Sequence, residues 1–399
     1  MPSMTFQVRQ LDSGSLARSG TLTVGSRSMP TPFRWTGGPW GPEDRAIAFA
    51  APTQSNPFRS ARMLTRQVIH ATMKNIQDSN GKSQQLRSQV ESSLGSRGEE
   101  TVVRAVHLRW NRSSVWRDVR YNHRTVSSDA AKSFFEFCLP LGVDFQIPAV
   151  PPGIDRFEVF TGMIDAYVAS LETWNQDIPL MGYIPNMESL SLARRMVEYY
   201  DKKGCSFYGI DLAGGHPSQL ITAVVRYLRE NRTHDYFLHA FNVRQTRPSM
   251  DAVVPVEDYL HFLYGFDSFS PVTFGGGAND PDNPPSVEDI KDRSRFVDFS
   301  SYGAYRRSAL RAAKMQPGCN CSVCRVAGSP LDLYRGSAGA AQARVRAHAI
   351  LAGGKEVERL RKTLESAGLH GDLAKRPGAE PKLRQIDSDV ARIRAPSLG

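Results

Sequence analysis

Apolar residues along the chain gather in short runs, with amphipathic stretches between several of them. The runs TPFRW (31–35), AIAFAAP (46–52), KNIQ (74–77), VDFQIP (143–148), LMGYIP (180–185), FYGIDL (207–212), YFLHAF (236–241) and FDSFSPV (266–272) predict eight strands. In SLSLARRMVEYYDKKG (189–204), Leu192, Met196 and Tyr199 or Tyr200 share one helical face, and SQLITAVVRYLREN (218–231) has the same period. Strands alternating with helices predict a parallel sheet. Eight of them predict an α/β protein built as a closed (β/α)8 TIM barrel rather than an open doubly wound sheet.

Composition shifts divide the chain. Residues 79–100, with SNGKSQQ and LGSRGEE, read as a polar loop or insertion, and GGGANDPDNPP (275–285) as a flexible connection. From about Ser286 a second composition begins, which holds three of the cysteines and then the helix GGKEVERLRKTLESAG (353–368). The expected organisation is a barrel over 1–286 carrying a basic insertion around 79–125, a cysteine-bearing helical subdomain over 287–368, and a mobile tail over 369–399.

At 399 residues with 40% hydrophobic and 23% charged residues, the composition is that of a globular protein with a buried core. No apolar run approaches the ~18 residues of a membrane span. The opening MPSMTFQVRQLDSG lacks a secretory pattern. The cytoplasm is therefore the expected compartment, with no membrane partner. Fifty basic residues against forty acidic give a net charge of +10. Between Asn56 and Thr125, thirteen Lys or Arg face five acidic residues, with Trp110, Trp116 and Tyr121 interleaved. That mixture suits phosphate contacts and base stacking; it also describes a solvated Arg-rich surface.

Cys319, Cys321 and Cys324 stand within six positions in a chain of only five cysteines. In a reducing compartment that spacing points to metal rather than to a disulfide. A tetrahedral structural Zn2+ needs a fourth ligand. Cys138 and Cys205 lie far upstream in predicted barrel, whereas His348 follows Cys324 closely and is the better candidate. A Cys3His set leaves no position for substrate, so this metal braces the fold.

A barrel followed by C-x-C-x2-C and a distant His resembles the tRNA-guanine transglycosylase family. ARSGTLTVGSRSMPTPFRWTG (17–37) resembles that family's opening, and GPEDRAIAFAAPTQ (41–54) its next segment. LMGYIP, FYGIDLAGG and DYFLHAFNV resemble its later strands, and YGFDSFSPVTF (264–274) its nucleophile motif. The resemblance implies exchange of a guanine in a nucleic acid for a 7-deazaguanine through a covalent Asp-glycosyl intermediate, a reaction that needs two carboxylates. It implies Asp267 as the nucleophile and Asp78, in IQDSNGKSQQL, as the general acid/base, with Asp118 and Asp144 in reserve. Gly214 and Gly215 are expected to let the base approach the backbone, with Asp144 as a further substrate-binding candidate.

Departures from the family pattern bear on the polymer. The arginines that follow the family's nucleophile motif are absent from Pro271-Val272-Thr273-Phe274, the base-recognising aspartate falls near Val150, and a glutamine is replaced by Pro185 or Asn186. These features resemble the divergent DpdA-like branch that inserts preQ0 into DNA. DNA is thus the expected partner and tRNA the alternative; an inactive nucleic-acid-binding subunit is the second alternative. The sequence leaves open whether helper proteins open the duplex, and whether the chain dimerises.

Overall fold

The computed structural model describes residues 4–35, 61–68, 76, 81–94, 103–110, 125–151, 154–174, 178–246, 249–272, 285–313, 319–366 and 368–395. AIAFAAP (46–52), Asp78, Asp118 and most of 275–285 lie outside these residues.

Three antiparallel strands open the chain: β1 (Met4–Leu11), β2 (Arg18–Val24) and β3 (Arg27–Thr31). Gly25, at φ +59°, lets a two-residue turn join β2 to β3, a conformation that costs a residue with a Cβ more. The chain continues through β4 (Phe33–Arg34), β5 (Ala61–Val68), α1 (Lys82–Leu94), β6 (Val103–Trp110), α2 (Thr125–Cys138), α3 (Phe157–Thr173) and β7 (Gly182–Ile184). Next come α4 (Leu190–Lys202), β8 (Phe207–Asp211), α5 (Ser218–Arg232), β9 (Phe237–Val243), β10 (Val253–Pro255), a 3-10 helix (Asp258–Tyr264) and β11 (Ser268–Pro271). The last part holds α6 (Val287–Arg293), β12 (Phe296–Asp298), β13 (Gly303–Tyr305), α7 (Arg307–Ala313), α8 (Ser322–Ala327), α9 (Ala338–Glu365), α10 (Leu369–Leu373) and α11 (Glu380–Arg394).

The core of the fold is a five-stranded parallel sheet in the order β4-β11-β9-β8-β7. Every residue of β8 and β9 is buried, as expected for parallel strands covered on both faces. Beyond β7, Gln146 forms a parallel bridge with Leu180, and the Asp144 N–H donates to the Arg104 carbonyl at 2.9 Å, which leads to the parallel pair β5–β6. The described parallel strands thus form a five-stranded sheet and a separate pair, linked by that bridge and that hydrogen bond. Among the described residues, no helix is long and apolar enough to cross a membrane.

The predicted helices at 189–204 and 218–231 are α4 and α5, and both bury the expected face, including Leu192 and Met196 in α4. Three other expectations need correction. Ile76, the described residue of KNIQ, is helical rather than extended. The stretch 79–125, read as a basic insertion, contains α1 and β6; Leu86, Val90 and Leu94 recur every four residues and sink into a cluster with Phe134 and Phe135. The 369–399 segment is not a loose tail over its described part. Leu383, Ile386, Val390 and Ile393 form one buried stripe of α11 against the main core, each side chain worth about 1.5–3 kcal/mol of burial. Pro381 sits in the first turn of α11, where its missing N–H costs nothing.

Candidate functional site

The cysteine cluster is assembled by α8, the turn before it, and α9. Cys321 caps α8, its Sγ accepting from the Cys324 N–H at 3.4 Å, and the Cys321 N–H donates to Cys319 Sγ at 3.4 Å. His348 lies inside α9, so its ring position is fixed by the helix. Its Nε2–H donates to the Val297 carbonyl at 2.8 Å, and Phe296 stacks on the ring at 4.2 Å. That bond leaves Nδ1 as the lone-pair nitrogen, 3.1 Å from Cys324 Sγ and 3.6 Å from Cys321 Sγ. The donor atoms of Cys319, Cys321, Cys324 and His348 all lie within 4.8 Å of one another. Three sulfurs and an oriented imidazole fit a tetrahedral structural metal, and zinc is the ion that donor set favours.

The carboxylate assigned as nucleophile sits elsewhere. Asp267 precedes β11, at the N-terminal end of the strand, and is wholly buried. Arg18 Nε and Nη2 donate to its two oxygens at 2.8 Å and 2.6 Å, and the Leu238 N–H donates at 2.8 Å. Burial raises its carboxyl above the usual range, while Arg18 and the Leu238 N–H pull the other way. The Arg18 guanidinium also lies 4.2 Å from the centre of the Tyr236 ring and donates to the Tyr236 carbonyl at 2.8 Å. Asp144, on the segment beyond β7, has a similar arrangement: its carboxylate accepts from Arg27 of β3 and from the Arg104 N–H at the start of β6. Both aspartates clamp the N-terminal antiparallel sheet onto the beginnings of parallel strands. In parallel α/β folds, ligands bind at the opposite, C-terminal ends. Asp267 and Asp144, expected at the site, instead hold ion pairs with Arg18 and Arg27 away from those ends.

The C-terminal ends carry a different carboxylate. Asp211, the last residue of β8, accepts from Tyr183 Oη of β7 at 2.7 Å, Asn242 Nδ2 of β9 at 2.8 Å and the Ala213 N–H at 2.7 Å. Three neighbouring segments thus fix one side chain. Backbone strain gathers around it: Ala213 and Asn242 hold φ of 50° and 55°, an uncommon conformation for residues with a Cβ. Gly214 and Gly215 follow in the same turn. A Cβ on Gly214 would meet Arg244 Nη2 at 3.2 Å and Val272 Cγ2 at 3.3 Å, so the backbone passes close to both. The two glycines therefore stand at this end of the sheet.

Beneath Asp211 lies a buried polar and aromatic layer. His239 Nδ1 is 2.7 Å from Ser268 Oγ and its Nε2 is 3.1 Å from Ser270 Oγ. Burial, and then the neighbouring His107, hold His239 well below its ordinary range, so it is neutral. Phe241 lies against His107 and His239, with ring centres 4.4 Å apart in each case. Gly209 makes room for it, because a Cβ there would fall 2.1 Å from Phe241 Cε2.

The sequence held a signal for Asp211: an aspartate closing the strand run FYGID, three positions before a glycine pair, lies at the C-terminal end of any parallel strand. Asp78 lies outside the described residues. No family model and no curated protein matches the chain, so its function is read from the geometry above.

Proposed function

We propose that the chain is a base-exchange transglycosylase that replaces guanine in a nucleic acid, DNA in preference to tRNA, with a 7-deazaguanine, and that Asp211 rather than Asp267 is its nucleophile. The observation that carries this reading is the Asp211 carboxylate at the C-terminal end of β8, held by Tyr183, Asn242 and the Ala213 N–H. A carboxylate oxygen attacks the anomeric carbon as the carbon–nitrogen bond to guanine breaks; the electron pair leaves with the base, which takes up a proton. The incoming base then loses a proton, its nitrogen attacks the same carbon, and the carboxylate is released.

A closed eight-stranded barrel around this site is supported by contacts between distant segments. Trp35, after β4, packs on Phe145 at 5.8 Å, and His107 of β6 packs on Phe241 of β9 at 4.4 Å. These rings meet across the middle of the sheet, as interior side chains of a barrel do. The Cys3His cluster would hold Zn2+ as a brace, supplying fold stability and no substrate chemistry. The choice of DNA rests on the departures around Pro271 and Val150. A nucleic-acid-binding subunit of the same fold without catalysis is the second reading, favoured by the low exposure of Asp211, 6%.

The experiment is nucleoside mass spectrometry on DNA and tRNA incubated with the protein and preQ0. A 7-deazaguanine nucleoside in one polymer supports exchange and identifies the substrate; none in either leaves the binding reading.

A further inference from the structure

A cavity of about 560 Å³ opens between the C-terminal ends of β4, β9 and β11 on one side and β12, α6 and α9 on the other. Arg34, Arg244, Arg293, Arg295, Arg306 and Arg346 line it, and among the described residues no aspartate or glutamate does. We propose that this cavity is a phosphate-binding site, taking a phosphodiester or phosphomonoester group. The proposal rests on charge and geometry and does not depend on the transglycosylase reading.

The six arginines play unequal parts. Arg295 is spent on the wall: it donates to the Ala304 carbonyl at 3.1 Å, to that of Ser249 at 3.0 Å and to that of Asp251 at 2.7 Å. Arg306 pairs with Asp292 at 3.2 Å and donates to the Ser249 carbonyl at 3.2 Å. Burial, and then the charge of Arg306, lower Arg295 from its ordinary range, a cost that an anion between them relieves. Arg34 is 8% exposed, and its buried Nη1 has no hydrogen-bond partner among the described residues. A buried donor left unmade costs about 1–3 kcal/mol, more for a charged group. A small shift of the guanidinium toward a ligand oxygen in the cavity would satisfy it. The Arg293 side chain, at the end of α6, donates no hydrogen bond to a described residue and faces the same space.

Phosphate fits this arrangement better than a carboxylate. Several guanidiniums converging from different elements can each offer a planar fork to a tetrahedral group with three or four oxygens. A lone carboxylate would fill little of the volume and offset only one charge. The phosphate could belong to a polynucleotide backbone or to a free nucleotide.

Fluorescence anisotropy with a labelled short single-stranded oligodeoxynucleotide tests the site in the full-length protein. The variants are Arg293→Gln and Arg34→Gln, with Arg384→Gln as the control, because Arg384 is 78% exposed on α11 and carries the same charge. Arg293→Gln is expected to weaken binding by about tenfold and to make the salt dependence shallower by about 0.7 in log–log slope. The control should stay within about twofold. If Arg34→Gln fails to fold, Arg293→Gln carries the test. Competition by a nucleoside 5′-monophosphate assigns the site to free nucleotides, and competition by unlabelled oligonucleotide alone assigns it to the backbone. Equal weakening by Arg293→Gln and Arg384→Gln, or equal competition by a phosphate-free nucleoside, overturns the proposal.

Discussion

Arg18 of β2 grips both carboxylate oxygens of Asp267, 249 positions later in the chain, in an ion pair sealed from solvent at both ends. The pair joins the N-terminal sheet to the starts of β9 and β11, and its hydrogen bonds use the donors and acceptors that face it. Removing one partner leaves the other charge buried and unpaired. Asp267→Asn should therefore destabilise the protein by about 3–5 kcal/mol, read from urea unfolding midpoints. The double variant Arg18→Met/Asp267→Leu should recover part of that loss. A stable Asp267→Asn protein would contradict the structural role.

The cysteine cluster makes a compositional prediction. Protein purified under reducing conditions should carry one zinc per chain by elemental analysis. A strong chelator should lower its melting temperature, and Cys324→Ser should do both. Metal-free protein whose melting point does not respond to chelator would contradict the brace.

Asp258 makes a pH prediction. Burial pushes its carboxyl up to about 7, against the pull of the Arg34 guanidinium. Its folded pKa lies above the ordinary value of 3.8, so the unfolded chain releases this proton first as pH rises. Stability from this group is present at low pH and is lost between about 4 and 7. Relative to wild type, Asp258→Asn should gain stability across that window by up to about 4 kcal/mol and level off above it. Parallel stability–pH profiles for the two proteins would contradict the shift.

The last helix is predicted to be essential. A chain ending at Ala379 loses the stripe of Leu383, Ile386, Val390 and Ile393, and also Asp389, which accepts from Tyr264 Oη at 2.8 Å and Ser218 Oγ at 2.6 Å. It should melt well below the full chain or fail to remain soluble. An unchanged melting temperature would mean that α11 does not contribute.

Much of this fold could be read from the pattern of residues. The strands β8 and β9 announce themselves as apolar runs because both faces are covered, and α4 and α5 because one face is not. The cysteine spacing and His348 pointed to one cluster, which the fold brings together. The misread parts share a cause: burial of polar side chains. β6 buries Arg104 and His107 among its apolar residues, so an arginine-rich stretch looked like surface. Flanking prolines and mixed charge hid the stripe of α11. Asp267 and Asp211 both adjoin strands, and only their positions at opposite ends of parallel strands separate a clamp from a candidate nucleophile.

The role of Asp211 is tested most directly by trapping. Wild-type protein, Asp211→Asn and Asp267→Asn should each be incubated with guanine-containing DNA or tRNA, quenched in denaturant and examined by intact-protein mass spectrometry, with circular dichroism as the check on folding. The account predicts a covalent protein–nucleic acid species for wild type and none for folded Asp211→Asn. An adduct that persists in Asp211→Asn, or one that maps to Asp267, would contradict it.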